Sequence, residues 1–247
     1  MSPSKVILVT GSNAGIGYDL VHILAAKGHT VYLASRKEAA GHEAVARIKK
    51  EKNVDVKFVQ LDLTDLASIK AAAAKIEKDQ GRLDVLVNNA GISELDKPMD
   101  ISAPDLGPIR TAMETNFYGM MQTTTAFLPL LRATATPAAP AVILNVSVHM
   151  AAHNWLAGPH GMLRNALAYN ASKSAANAYT IALADELKDA HIKVNAQTPG
   201  IVSTKLNGFH PMGKSSEEGA QTMVPWCLLD KDGKTGFFAD EDGNSLW

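Results

Sequence analysis

A chain of 247 residues, 46% of them hydrophobic and with a formal net charge of −1, is long enough for one α/β domain with a sizeable core. The small net charge and the mixing of acidic and basic residues exclude a protein that works on polyanions, such as a nucleic-acid-binding protein. The one cysteine, Cys227, excludes an internal disulfide and favours a reducing compartment, so we expect a cytoplasmic protein.

Short apolar runs and amphipathic stretches alternate along the whole sequence. Strands are predicted at 5–10, 30–34, 54–60, 83–87, 141–146, 192–196 and near 235–238. Helices are predicted at about 16–27, 38–51, 65–79, 105–132, 168–189 and 216–229. The first strand begins at residue 5 and no apolar run is long enough to span a bilayer, so we expect neither a signal peptide nor a membrane segment.

This alternation predicts an α/β fold, a single-domain Rossmann fold spanning 1–247. Its doubly wound parallel sheet has about seven strands, with helices on both faces. Ligands of such sheets bind at the carboxyl ends of the strands. The long segments 149–168 and 199–229 follow two of these ends, and we expect them to line a substrate site.

A glycine-rich turn follows the first predicted strand. Residues 10–17 read TGSNAGIG, with the glycines spaced G-x-x-x-G-x-G at the start of a predicted helix. Glycines let the backbone approach an anion, and the N–H groups of the helix start can bind it. A tight strand–helix turn can exist without a ligand, but its place at the first strand favours a nucleotide. The predicted cofactor contacts are Gly11, Ser12, Asn13, Gly15, Ile16 and Gly17.

Tyr169 and Lys173 lie four positions apart on a predicted helix and should share one face. A nearby ammonium favours the phenolate, so such a pair can transfer a proton near neutral pH. The same spacing also occurs by chance, as a half-buried ring beside a solvated lysine. The pair indicates chemistry only in combination with other motifs.

Those motifs occur together. The sequence has TGSNAGIG at 10–17, LDL at 61–63, NNAG at 88–91, Asn116, YNASK at 169–173, and Pro199-Gly200 with Thr204. In order and spacing they resemble the short-chain dehydrogenase/reductase family, and the ending TGFFADEDGNSLW is similar to its carbonyl-reductase-like branch. The resemblance implies an enzyme in which a nicotinamide dinucleotide delivers hydride to a carbonyl carbon.

The resemblance also implies residue roles. Tyr169 would protonate the carbonyl oxygen, and Lys173 would lower the tyrosine pKa and bind the nicotinamide ribose. Asn116 would support a water that leads protons to the lysine, although an asparagine within a helix also suits a kink or a bond to the backbone. Further cofactor contacts are implied at Asp62, Leu63, Asn89, Ala90, Gly91, Pro199, Gly200, Val202 and Thr204. Asp62 could equally cap the helix that begins near Asp65.

The end of the second strand bears on the choice of cofactor. Ser35 stands where NAD-preferring members of the family often carry aspartate, and Arg36 and Lys37 follow it. A guanidinium suits a phosphate and has no acceptor for a ribose hydroxyl. We therefore expect NADPH/NADP+ as the cofactor, with Arg36 and Lys37 as contacts. The alternative is that both are solvated charges at the start of a helix.

The sequence departs from the family at the end of the fifth strand. The family usually has N-V-S-S there, and its second serine polarises the substrate carbonyl, whereas this chain has Val148 at that place and Ser147 one residue earlier. One step along a strand reverses the direction of a side chain, so Ser147 should point away from the substrate unless a bulge re-aims it. Either Ser147 is re-aimed as the fourth catalytic residue, or His149 or another donor replaces it, or the enzyme works without one.

The region after this strand supplies the predicted substrate contacts. They are Val148, His149, His153 and Trp155, together with Phe209 after the sixth strand, and ordinary packing is the alternative for each. His149 and His153 are four apart and could both face a metal on one helix, but no third ligand is evident and we predict no metal.

Three functions fit the sequence. The first is NADPH-dependent reduction of a ketone or aldehyde on a small, hydrophobic substrate. The displaced serine leaves imine or iminium reduction, or a non-redox cyclisation, as the second, and a nucleotide-sensing protein is the third. The family resemblance also implies a homodimer or homotetramer that pairs through the helices at 105–132 and 168–189. The alternative is a monomer, in which the loop inserted before Tyr169 shields that surface.

Overall fold

Seven parallel strands form one sheet in the part of the chain that the structure describes. The structure, a computed structural model, describes residues 3–96, 99–159 and 163–247. The strands are β1 (Val6–Val9), β2 (Thr30–Ser35), β3 (Lys57–Gln60), β4 (Val85–Asn88), β5 (Ala141–Val146), β6 (Ile192–Gln197) and β7 (Phe238–Ala239). Their order across the sheet is β3-β2-β1-β4-β5-β6-β7. The predicted doubly wound α/β fold is confirmed.

Eight α-helices are described along the chain. They are α1 (Gly15–Ala26), α2 (Glu38–Lys52), α3 (Leu66–Gln80), α4 (Leu106–Met113), α5 (Met120–Thr134), α6 (His153–Ala157), α7 (Leu167–Leu187) and α8 (Ser216–Cys227). Residues of α1, α2 and α8 share one apolar core with one face of the sheet, and residues of α3, α5 and α7 share a second core with the other face. Alternate residues of β1 therefore enter different cores, Ile7 the first and Leu8 the second. This explains why the strand is apolar throughout.

The sequence predicts one uninterrupted helix over 105–132, and the structure differs there. A π-helical segment, Glu114–Gly119, separates α4 from α5. Such segments are rare and frequently occur at functional sites, because the extra residue re-aims side chains. Asn116 lies inside it and is buried.

Strand β7 is shorter and later than predicted, because side-chain hydrogen bonds interrupt the backbone pairing before it. Thr235 accepts the Val194 N–H through its hydroxyl at 3.0 Å, and Asn195 accepts the Phe237 N–H at 3.0 Å. Regular pairing with β6 begins only at Phe238. None of the helices in the described part of the chain combines the length and apolar character needed to cross a membrane.

Candidate active site

The glycine-rich turn lies against the end of β4. Gly11 has φ +60°, and a Cβ atom there would lie 2.7 Å from Ala90 Cα. A Cβ at Gly17 would lie 2.9 Å from Ser12 Cα, so neither position tolerates a side chain without displacing backbone. Helix α1 begins after Ala14, which supplies no side-chain cap. The first N–H groups of α1 are therefore not bonded by a capping side chain, as an anion-binding helix start requires.

Polar side chains hold this turn in shape. Thr10 Oγ1 accepts the N–H groups of Asn89 and Ala90, each at 3.0 Å. Asn89 Nδ2 donates back to Thr10 O at 2.8 Å and to Gly11 O at 3.2 Å. Asn89 thus shapes the predicted cofactor site through its side chain.

Ser12 does not fit its predicted role as a cofactor contact. Its side chain is fully buried, and its hydroxyl donates to Val9 O at 2.7 Å and accepts the Ala34 N–H at 3.0 Å. These bonds tie the turn to β1 and β2. Ser12 supports the site and its side chain does not face a ligand, so that prediction is corrected.

The predicted adenine end of the site carries free positive charge. Arg36 and Lys37 are exposed directly after β2, and neither side chain forms an ion pair within the described residues. Ser35 is buried, and its hydroxyl donates to Lys37 O at 3.1 Å. Asp62 accepts from both the N–H and the hydroxyl of Thr64, while Asp65 caps α3 by accepting the Ala67 N–H at 2.8 Å. The alternative that Asp62 caps this helix is therefore wrong.

Tyr169 and Lys173 are both buried on α7, near the end of β5. Lys173 Nζ donates to Val146 O at 2.8 Å and lies 5.9 Å from the centre of the Tyr169 ring. A Cβ atom on Gly91 would lie 3.4 Å from Lys173 Nζ and 3.1 Å from Asn116 Oδ1. The structure thus brings Tyr169, Lys173 and Asn116 together beside Gly91, as the motifs predict.

Asn116 bonds to two neighbouring segments from the π-helical turn. Its side chain accepts the Ile92 N–H at 2.9 Å and donates to Ile92 O at 2.8 Å. It also donates at 3.0 Å to the hydroxyl of Ser172, which itself donates to Tyr169 O. The helix is interrupted at Asn116 and the Asn116 side chain bonds to backbone groups, as the second interpretation of this residue predicts. Asn116 thus joins α7 to the segment that follows the NNAG loop.

Burial controls the protonation of the pair. It raises the pKa of Tyr169 to about 12 and lowers the pKa of Lys173 to about 8. Desolvation of the phenol is the cause for Tyr169, and the role of Lys173 in lowering the tyrosine pKa stays a prediction. At neutral pH Tyr169 therefore holds its proton, as a general acid must, and Lys173 is mostly charged.

Ser147 is turned away from this cluster. It is buried, and its hydroxyl donates to Asn177 Oδ1 on α7 at 2.8 Å. Its N–H donates to Gln197 O at 2.8 Å, so pairing with β6 continues past β5 without a bulge. The prediction that a bulge re-aims Ser147 as the fourth catalytic residue is therefore wrong, and the next residue, Val148, is half-buried.

Known proteins resemble this chain in sequence and in fold. Residues 5–212 match the family described as short chain dehydrogenase. The chain belongs to this family. It is 30% identical to (+)-neomenthol dehydrogenase of Capsicum annuum, over 95% of each chain.

Two solved structures have the same fold. The Pseudomonas aeruginosa RhlG/NADP active-site complex has a TM-score of 0.85 and 25% identity, over 100% of this chain and 98% of that one. The 3-ketoacyl-(acyl-carrier-protein) reductase of Brucella melitensis, complexed with NADH, has a TM-score of 0.80 and 27% identity, over 96% of each chain. The resemblance to the family is confirmed, and the family and these neighbours support an oxidoreductase with a nicotinamide cofactor.

The predicted substrate residues of this short-chain dehydrogenase differ from one another in packing and exposure. Trp155 packs on the small apolar cluster that contains Phe238, and its ring centre lies 5.6 Å from that of His149. His153 is exposed on α6, whereas His149 lies in the preceding turn, so the two histidines do not share a helix. Phe209 is 65% exposed with φ +58°. Residues 160–162 of the predicted segment 149–168 lie outside the described residues.

Sequence reasoning missed four residues of this site. Thr10, Ser172 and Asn177 hold functional segments through hydrogen bonds. Glu241, in the turn after β7, has a carboxylate oxygen 3.3 Å from His149 Nε2. In the sequence, only the position of Glu241 near the carboxyl end of a strand could indicate its role. The predicted strand ended at 238, so this position was not recognised.

Proposed function

We propose that the protein is an NADPH-dependent reductase that transfers hydride to the carbonyl carbon of a ketone or aldehyde. The observation that carries this proposal is the position of Tyr169, which is buried beside Lys173 near the carboxyl end of β5. A phenol that keeps its proton at neutral pH can give it to an oxygen that gains charge. Tyr169 is therefore the general acid of the reduction.

The remaining residues bind and orient the reactants. The glycine-rich turn and the start of α1 suit the pyrophosphate of a dinucleotide, which supplies the hydride when bound. Thr204 faces this turn, since its Cγ2 atom lies 3.5 Å from the place of a Cβ atom on Gly15. Thr204 and the backbone of Val202 hold the nicotinamide end, and the Lys173 ammonium binds its ribose. Asn116 supports proton return toward Lys173.

A hydrophobic substrate suits the loop after β6. Phe209 and Met212 are 65% and 81% exposed, and Ile201 is 55% exposed. Apolar side chains this exposed within one segment mark a binding surface more often than chance. Segment 199–229 is therefore the proposed apolar wall of the substrate site.

Turnover with NADPH tests this function. We expect one NADPH to be oxidised for each molecule of alcohol formed from a cyclic or aromatic ketone, followed by absorbance at 340 nm and by product chromatography. Loss of substrate without NADPH oxidation would instead support a non-redox cyclisation. Binding of NADPH without turnover of any carbonyl or imine would support a nucleotide sensor.

Imine or iminium reduction is the second candidate, and one observation favours it. The hydroxyl of Ser147 is bonded to Asn177, and Val148 has no polar group, so the family's serine donor is missing at the reacting oxygen. Reduction of an imine has no such oxygen to polarise. Matched ketone and cyclic imine substrates, compared by kcat/KM, distinguish the two candidates.

Arg36 is the proposed source of NADPH preference. Hydrogen bonds to charged groups contribute about 1.5–3 kcal/mol each, so we expect Arg36→Asp to lower the NADPH/NADH ratio of kcat/KM roughly 10- to 100-fold. Lys50→Asp, at an exposed position further along α2, is the matched control for a change of net charge and should leave the ratio unchanged. An unchanged ratio in Arg36→Asp would contradict the assignment.

We also propose that the protein pairs through α7. Ile181 is 49% exposed, and the neighbouring Ala178 and Ala182 are exposed as well, which leaves a face of small and apolar side chains. Light scattering coupled to gel filtration measures the expected dimer or tetramer.

A further inference from the structure

Three adjacent strand ends bring a histidine, a glycine and a glutamate together. His149 follows β5, Gly200 follows β6 and Glu241 follows β7, all at the edge of the sheet where ligands of this fold bind. His149 Nε2 lies 3.3 Å from Glu241 Oε2. A Cβ atom on Gly200 would lie 2.5 Å from Glu241 Oε1.

On the basis of the proposed reductase function, we propose that His149 replaces the missing serine. In this proposal His149 donates a hydrogen bond to the substrate carbonyl oxygen, and Glu241 is the positioning residue that holds the imidazole ring for it. Both roles lie outside the family's usual set of serine, tyrosine, lysine and asparagine. They give this chain a different way of polarising the reacting oxygen.

His149 is the first residue after Ser147 whose side chain carries a hydrogen-bond donor. Val148 is apolar, and Ser147 is bonded to Asn177 on the buried side of the strand. His149 is the next residue and is half-buried, with 20% of its side chain exposed. When protonated, its ring has an N–H on each nitrogen, one for Glu241 and one for a carbonyl oxygen.

Glu241 is placed to orient that ring. Its Oε2 atom is buried and makes no well-aligned hydrogen bond within the described residues, and His149 Nε2 lies 3.3 Å from it. A buried carboxylate oxygen of this kind costs free energy, and such arrangements commonly mark a functional group. Gly200, with φ +78°, leaves the space that the carboxylate occupies. The Trp155 ring packs on His149 and limits its rotation further.

Lys214 and Asp240 complete the charged surroundings. Lys214 Nζ lies 3.2 Å from the place of a Cβ atom on Gly200, so it faces the same carboxylate region. Asp240 accepts hydrogen bonds from the N–H and the side chain of Asn244, at 2.7 and 2.9 Å, and is thereby held in the turn. Glu241 is thus the carboxylate that contacts the His149 ring.

Reintroducing the serine tests the proposal. We expect His149→Phe, which keeps an aromatic ring against Trp155, to lower kcat for a ketone about 10²-fold, as loss of one oxyanion donor does. His149→Gln keeps an N–H donor and should retain more activity. Adding Val148→Ser to His149→Phe should restore kcat at least tenfold, and by a larger factor than Val148→Ser gives in the wild-type protein.

Glu241 is tested in the same assay. Glu241→Ala should lower kcat about tenfold with a smaller change in KM, while Asp242→Ala, the exposed acidic neighbour, should leave both unchanged. Thermal melting and NADPH titration of each variant verify that the fold and the cofactor site are intact.

Two outcomes overturn the inference. One is full kcat in His149→Phe, and the other is an equal effect of Val148→Ser in both backgrounds. Tyr169→Phe, assayed in parallel, separates the two proposals. If it abolishes turnover while His149→Phe does not, only the role of His149 fails; if it keeps full turnover, the reductase mechanism itself fails.

Discussion

Tyr169→Phe is expected to lower kcat for ketone reduction by about 10³-fold while leaving NADPH affinity close to that of the wild-type protein. A positioned general acid contributes about 10²–10⁴-fold, and phenylalanine removes only the proton that this acid donates. The phenol makes no hydrogen bond within the described residues, so its removal leaves no partner unsatisfied. The free energy of unfolding should accordingly stay the same or rise slightly.

Single-turnover kinetics with NADPH measure this effect most directly, because they separate hydride transfer from product release. Tyr179→Phe is the matched control, since Tyr179 lies ten residues further along the same helix and is half-buried there. More than a tenth of the wild-type rate in Tyr169→Phe would mean that another group delivers the proton.

The fold could be predicted from the sequence because its signals are local and repeat along the chain. The apolar run of β1, the glycine turn and the first turn of α1 lie within twenty residues and determine one another's geometry. The direction of Ser147 was also predictable, because side chains alternate along a strand and the pairing with β6 continues through Ser147. Such features need only the chain itself.

Other features of the site depend on distant neighbours and were not predictable. Glu241 contacts His149 only because β7 lies beside β6, and its distance in sequence from His149 gives no hint of this. The burial of Ser12 depends on bonds to β2. The pKa of Tyr169 follows from its burial beneath the surrounding segments, which a Tyr-x-x-x-Lys spacing does not reveal.

Lys173→Met is expected to abolish reduction and, at the same time, to stabilise the ligand-free fold. Burial lowers the pKa of Lys173 from 10.5 to about 8, and each pKa unit corresponds to about 1.4 kcal/mol, so the buried charge costs on the order of 3 kcal/mol at pH 7. Methionine removes this cost but also the bond to Val146 O, which contributes about 1 kcal/mol. A net gain of about 2 kcal/mol in the free energy of unfolding at pH 7 should remain.

The difference in the free energy of unfolding between Lys173→Met and the wild-type protein should depend on pH, and the direction follows from the Lys173 pKa. Below pH 8 the lysine is charged in both the folded and the unfolded wild-type chain, and folding bears the full cost of desolvating it. Between pH 8 and 10.5 the folded chain binds fewer protons than the unfolded chain, so the wild-type protein gains stability as the pH rises. The advantage of Lys173→Met should therefore be largest at neutral pH and should disappear above about pH 10.5.

Urea unfolding of both proteins at pH 7 and pH 9.5 measures this change, and Lys78→Met, at an exposed position on α3, is the matched control. The site holds a charged lysine in spite of this desolvation cost, and ligand binding gives the reason. Its ammonium is held inside the fold by Val146 O, so a ligand that contacts it need not draw it out of water. A variant that is less stable than the wild-type protein at pH 7 would show that the charge is already compensated within the fold.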